Sequence, residues 1–254
     1  MDALNWLAAA VALGSAATAA VLGYWQQRRI RQAERLDYMD RYGASLAWAT
    51  FDLQSRLFTI LTGHERDTSP GPAQGYLTVC LVHGSEREAE LARRSTVFVV
   101  AEYLGWVEIL RRDLQFLNLG NSGGNRRVMT QLYRIAETFN GLYNRREALR
   151  LFRIQQRAIG AVMIHPDSEP GRRHCLGYTE FCALLDTDNA FAAWFTELLT
   201  DVDTIAADPT PALPRLRALQ QQLVELIDLL DRDAVRFPQF HRKVYANVAG
   251  NYGS

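Results

Sequence analysis

An uncharged stretch at the N-terminus constrains this chain most. No charged side chain occurs from Ala3 to Trp25, and the basic segment Arg28-Arg29-Ile30-Arg31 follows after two glutamines. At about 1.5 Å per residue, roughly 23 helical residues extend about 34 Å, slightly more than the hydrocarbon core of a bilayer. The pattern therefore predicts one transmembrane helix over residues 4–25, within an anchor segment of residues 1–25.

Two other interpretations of this stretch remain open. Ala17-Thr18-Ala19 has the small-x-small form of a signal cleavage site, although only Met1-Asp2 precede the stretch and signal peptides normally begin with basic residues. A soluble alanine-rich helix is the third interpretation. Because basic flanks of membrane helices stay on the cytoplasmic side, we expect a single-pass protein of the cell membrane. Its N-terminus should lie outside and its C-terminal domain in the cytoplasm.

Small residues recur every four positions in the predicted span, at Ala12, Ala16 and Ala20. This spacing lets two membrane helices approach closely, so a homo-oligomer is one hypothesis. The segment is rich in alanine, however, and chance also explains the spacing.

The rest of the chain shows mainly the apolar spacing of three and four residues that is typical of amphipathic helices. Only Tyr76–Val82 alternates as a β-strand does. We therefore predict an all-α protein: a transmembrane helix followed by a bundle of about six to seven helices over residues 26–230, and a C-terminal tail over residues 231–254. The predicted helices are Tyr38–Leu61, Ser85–Leu119, Arg126–Tyr143, Arg146–Ile164, Tyr178–Leu185, Asn189–Ala206 and Leu216–Leu230.

Composition excludes several classes of protein. With 48% hydrophobic and 22% charged residues, the chain is typical of a folded globular protein. Its net charge is zero, so nothing indicates nucleic-acid binding. Cys80, Cys175 and Cys182 form neither a CxxC pair nor an even set, which indicates neither a disulfide framework nor a metal site.

Two carboxylates interrupt an otherwise apolar helix. Val97–Leu110 is apolar nearly all round, except at Glu102 and Glu108. A buried charge needs a partner, because a low-dielectric interior strongly disfavours an isolated ion. We expect structural ion pairs that join Glu102 and Glu108 to arginines such as Arg112 and Arg157, with Arg56 a further candidate. A ligand-binding carboxylate is the alternative.

One loop resembles an anion site. Glycines and two arginines at a helix start suit a phosphate or another anion. The candidate ligands are Gly120, Ser122, Gly123, Gly124, Arg126 and Arg127. The loop lacks both nucleotide-binding patterns and follows no strand, and a turn between antiparallel helices needs the same glycines.

No nucleophile, cofactor or metal motif indicates an enzyme. We therefore expect a membrane-anchored interaction or scaffolding protein with an unidentified protein partner. The alternative is a membrane-tethered sensor or effector that responds to a small anionic ligand. A cavity with converging arginine and glutamate side chains would favour the ligand, whereas a flat apolar surface would favour the partner.

Overall fold

A computed structural model describes residues 21–27, 42–61, 75–117, 123–141, 148–239 and 242–245. The chain divides into two units, Met1–Arg41 and Tyr42–Ser254. In the first unit, residues 21–27 are helical and exposed, and the rest of the predicted span 4–25 lies outside the described residues. Within the described ranges, no helix combines the length and apolar character that a bilayer crossing requires.

The second unit is all-α, as predicted, and its described residues form no β-strand. The described helices are more numerous than the sequence indicated. They are α1 (42–61), α2 (Tyr76–Thr78) with a π-helical turn (Val79–His83), α3 (Glu86–Leu117), α4 (Gly123–Asn140), α5 (Arg153–Val162), α6 (Tyr178–Thr187), α7 (Asn189–Ala192), α8 (Thr196–Ala207), a 3-10 turn (Thr210–Ala212) and α9 (Leu213–Leu230).

Helix α3 begins where its capping box predicts. The Ser85 amide donates to the Glu88 carboxylate at 2.8 Å, and the Glu88 amide donates to the Ser85 hydroxyl at 3.3 Å. Asp188 caps α7 by accepting hydrogen bonds from the amides of Ala190 and Phe191. These side chains replace the partners that the first amides of a helix lack.

Two predicted helices were wrong in extent. The helix expected over Arg146–Ile164 begins only at Arg153, because Leu149 has a left-handed φ of 58° and a right-handed helix cannot continue through it. The helix expected over Asn189–Ala206 is interrupted after Ala192. On either side of the break, the rings of Phe191 and Phe195 both pack against Phe181.

The expected strand-like segment Tyr76–Val82 is helical. Its amides bond along the chain, as in the 3.0 Å bond from Val79 to the Gly75 carbonyl. Leu77 is buried, and the Thr78 hydroxyl donates to the Ala206 carbonyl at the end of α8. Packing against α8 thus overrides the local alternation, since strand pairing would need a neighbouring strand.

The central helix of the bundle is α3. It packs against α5, α6 and α8, while α4 packs mainly against α9. At the contact with α5, a Cβ on Gly160 would lie 2.5 Å from the Leu104 carbonyl oxygen and 2.8 Å from Glu108 Cβ. The absence of a side chain at Gly160 therefore sets the distance between α3 and α5.

The segment after α9, predicted as a tail over residues 231–254, packs against the bundle through its buried residues Phe237 and Arg242. Phe237 is 2% exposed and stacks on Phe51 with ring centroids 4.5 Å apart. The buried Arg242 donates to the Phe237 carbonyl and to the Asp231 carboxylate. Residues 231–239 and 242–245 are thus part of the folded domain.

Candidate functional site

A cleft of about 420 Å³ lies between α3, α4 and α5. Its walls are mainly aliphatic and aromatic, and its polar side chains are few. The apolar lining comprises Leu104, Val107, Leu110, Met129, Leu132, Tyr133 and Ala136. The polar lining comprises Glu108, Arg111, Arg153, Gln156 and Arg157.

Glu108 is the buried charge of the cleft. The residue is 3% exposed. Its carboxylate accepts hydrogen bonds from Arg111 Nε at 2.7 Å, Arg111 Nη2 at 2.6 Å and Arg112 Nε at 2.7 Å. Burial by itself would raise the pKa of Glu108, but the two guanidinium groups together hold that pKa below its ordinary value. Glu108 is therefore an anion whose charge Arg111 and Arg112 neutralise.

Two arginines of α5, Arg153 and Arg157, line the cleft. The guanidinium carbon of Arg153 lies 4.2 Å from the centroid of the Tyr133 ring, and Arg153 Nη1 is 3.3 Å from a Glu137 carboxylate oxygen. Arg157 is exposed, one helical turn further on. Within the described parts of the chain, Arg157 takes part in no ion pair or side-chain hydrogen bond.

Gln156 fixes the wall that α5 contributes. Its side-chain amide donates to the carbonyl oxygens of Ala136 in α4 and Leu151 before α5, both at 2.9 Å. Together with the close packing at Gly160, these bonds hold α5 against α4 on one side and α3 on the other. The cleft is thus built on rigid elements rather than on loops.

Glu102 lies in a different environment from the one expected. Its pKa is raised to about 7, first by burial and then by the nearby Asp52 carboxylate, while a hydrogen bond with Trp106 opposes the rise. No arginine pairs with Glu102 in the described ranges, because the neighbours that α1 and α3 supply here are another acid and an indole. Arg56, a sequence candidate, bonds to the Thr96 hydroxyl instead.

The described residues of the predicted anion loop do not line the cleft. Gly120 and Ser122 lie outside the described residues. Gly123 and Gly124 form the first turn of α4, which begins three residues before the predicted start, and Arg126 and Arg127 are exposed on that helix. None of the four described residues lines the cleft.

Of the four residues predicted to form ion pairs, Glu108 and Arg157 line the cleft and Arg112 binds Glu108. Sequence reasoning missed Arg111, Arg153 and the α4 wall. A signal was present in each case: Arg111 and Arg153 lie three and four residues from predicted members on their helices. The α4 residues Met129, Leu132, Tyr133 and Ala136 share one helical face at spacings of three and four.

Other kinds of site find no counterpart in the described residues. No group of three or more histidine, cysteine, aspartate or glutamate side chains there could hold a metal ion. The three cysteines are free thiols, and burial strongly raises the pKa of Cys175. Comparisons of the chain with protein-family models, curated proteins and solved structures find no match.

Proposed function

We propose that this protein is a membrane-tethered sensor or effector whose helical domain binds a small, mainly apolar molecule in the cleft between α3, α4 and α5. The observation that carries the proposal is the cleft itself. Its volume of about 420 Å³ falls in the range typical of small-molecule sites, about 300–1,000 Å³. Apolar walls with a few placed polar groups are also typical of such sites.

The tether is the predicted span 4–25, with the domain on the cytoplasmic side. The support is the uncharged stretch and the arginines that follow it. In this proposal the membrane holds the domain where an apolar ligand accumulates, and occupancy of the cleft is the signal.

Photolabelling tests the proposal. The full-length protein in phosphatidylcholine nanodiscs is irradiated with a neutral alkyl diazirine, and labelled peptides are mapped by mass spectrometry. We expect label on the α3 and α4 residues of the cleft, including Met129 and Leu132. Ala136→Phe fills the cleft and should remove most of that label, as should Met129→Trp, which alters a half-exposed position and therefore threatens the fold less.

Ala207→Phe is the matched control, because Ala207 is exposed at the end of α8 and away from the cleft. It adds the same ring without obstructing the site, so cleft labelling should persist. Label spread evenly over the surface, or label that survives both blocking substitutions, would contradict the proposal.

A protein-interaction or scaffolding module is the second candidate. It is favoured by large apolar side chains that are exposed on α4 and around the start of α5: Met129, Tyr133, Phe152 and Ile154. Exposed apolar side chains of this size are common at protein interfaces. The test is recovery of the full-length protein in mild detergent with its bound partners identified. A partner lost from Ile154→Glu but retained by Ala207→Glu would support this function over ligand binding.

A further inference from the structure

The lining of the cleft carries more positive than negative charge. Arg111, Arg153 and Arg157 line it, and among the described residues that line it Glu108 is the only acid. Arg112 joins Arg111 in binding Glu108, and Glu137 pairs with Arg153 from outside the lining. Among the described residues, four guanidinium groups thus meet two carboxylates, which leaves a surplus of two positive charges in and around an apolar cavity.

Of the arginines that line the cleft, Arg157 has the guanidinium group that is most available to a ligand. Arg111 donates two hydrogen bonds to Glu108, so much of its binding capacity is used. Arg153 is oriented by the Tyr133 ring and by Glu137. Arg157 lies four residues after Arg153 on the same face of α5, and in the described ranges no side chain competes for its guanidinium group.

The apolar floor and the cationic mouth together select the chemistry of the ligand. Leu104, Val107 and Leu110 offer a hydrocarbon surface that a strongly hydrated anion cannot use. A purely apolar molecule would in turn leave the surplus charge unused. A single alkyl chain with an anionic end satisfies both, because the chain covers the floor while Arg157 binds the head.

We propose that the ligand of the cleft is a single-chain anionic amphiphile, with Arg157 as the principal ligand of its head group and Arg153 as a second cation beside it. This inference rests on the proposed function, since it names the ligand class of the same cleft. Glu108 has a positioning role: by binding Arg111 and Arg112, it directs the free positive charge to the α5 side of the mouth.

Competition against the diazirine label tests the inference in the full-length protein in the same nanodiscs. Decanoate and decanol have chains of equal length, and only decanoate carries a charge at neutral pH. We expect decanoate to protect the cleft at a concentration about tenfold or more below that of decanol, as charge-assisted hydrogen bonds to one guanidinium group allow. Arg157→Gln should remove that preference.

Arg232→Gln is the matched control, because Arg232 is exposed beyond α9 and does not line the cleft. It should leave the decanoate preference unchanged. Equal protection by decanoate and decanol in the parent protein, or an undiminished preference in Arg157→Gln, would overturn the inference. Absence of any cleft labelling would instead contradict the proposed function, so the two failures are distinguishable.

Discussion

Glu102 and Glu108 show how far the environment of a residue departs from what its sequence setting indicates. Both interrupt the same apolar segment of α3, and the sequence predicts an arginine partner for each. Glu108 meets two arginines that follow it at three and four positions, a distance that helical geometry alone provides. An arginine partner of Glu102 had to come from another helix, because the positions three and four residues away on α3 hold no arginine. Because sequence spacing says nothing about which residues of α1 face α3, the neighbouring Asp52 could not be predicted.

The pKa values of these carboxyl groups predict opposite pH dependences. Glu102 has a folded-state pKa of about 7, above its ordinary value of 4.5, so the folded protein binds this proton more tightly than the unfolded chain does. Its contribution to stability is greatest below about pH 4.5 and is lost as the pH rises to about 7. We expect Glu102→Gln to melt above the parent protein at pH 8 and close to it at pH 4, in thermal melts followed by circular dichroism.

Glu108→Gln is the contrasting variant. The pKa of Glu108 lies below its ordinary value, so its ionised form stabilises the fold above that value and the contribution is lost as the pH falls. At neutral pH the free energy of unfolding of Glu108→Gln should be lower than that of the parent protein by about 1–3 kcal/mol. The decrease is this small because both arginine partners remain partly solvated. A Glu102→Gln variant that melts below the parent at pH 8 would show that Glu102 has a cationic partner after all.

At the scale of single helices, apolar periodicity and capping residues located most of the bundle. The capping box of Ser85 and Glu88 and the cap of Asp188 both consist of hydrogen bonds between residues close in the chain. Such local interactions can be predicted from the sequence. The late start of α5 and the interruption after α7 could not be predicted from the sequence. Leu149 is held in its left-handed conformation by a distant group, since its amide donates to the Asp201 carboxylate of α8 at 2.7 Å. The cleft depends on this break, because it sets where α5 begins.

The contact between α3 and α5 predicts the effect of a single methyl group. In Gly160→Ala the new Cβ would lie 2.5 Å from the Leu104 carbonyl oxygen, which is backbone and cannot rotate away. We expect α5 to shift and the free energy of unfolding to fall by about 1–3 kcal/mol, as measured by urea denaturation. The cleft should also lose diazirine label, because α5 forms one of its walls.

Gly43→Ala in α1 is the control for helix propensity. Apart from the backbone of its own helix, a Cβ at Gly43 would meet no atom of the described residues within 4 Å, so this variant should be neutral or more stable by up to about 1 kcal/mol. Equal effects of the two substitutions would mean that close packing at Gly160 does not hold α5 in place.

At the scale of the whole molecule, the chain separates an apolar N-terminal segment from a domain with its own core. The described core lies entirely within residues 42–245 and includes the buried Phe237 near the C-terminal end. We therefore expect deletion of residues 1–25 to release a folded, soluble and mainly helical domain. Circular dichroism and sedimentation of the truncated protein check this. A β-dominated spectrum, or continued membrane association, would contradict it.

The proposed topology is tested with introduced cysteines. A thiol reagent that cannot cross membranes should label Asp2→Cys in intact cells, because the N-terminus lies outside in this proposal. Ser254→Cys should react only after lysis. The parent protein, with its three native cysteines, gives the background for both measurements. Labelling of Ser254→Cys in intact cells would reverse the proposed orientation.

The acidic surroundings of Glu102 also affect the heat of unfolding. Between pH 4.5 and about 7 the folded protein holds part of a proton at Glu102 that the unfolded chain releases, and the buffer takes up that proton. The enthalpy measured by calorimetry therefore includes the ionisation heat of the buffer. Scans at pH 6 in two buffers with different ionisation heats should give different unfolding enthalpies, and the difference divided by the difference between the two ionisation heats gives the number of protons released. Asp201, whose pKa is raised to about 6, also releases a proton, so the part of this number that Glu102→Gln removes is the contribution of Glu102.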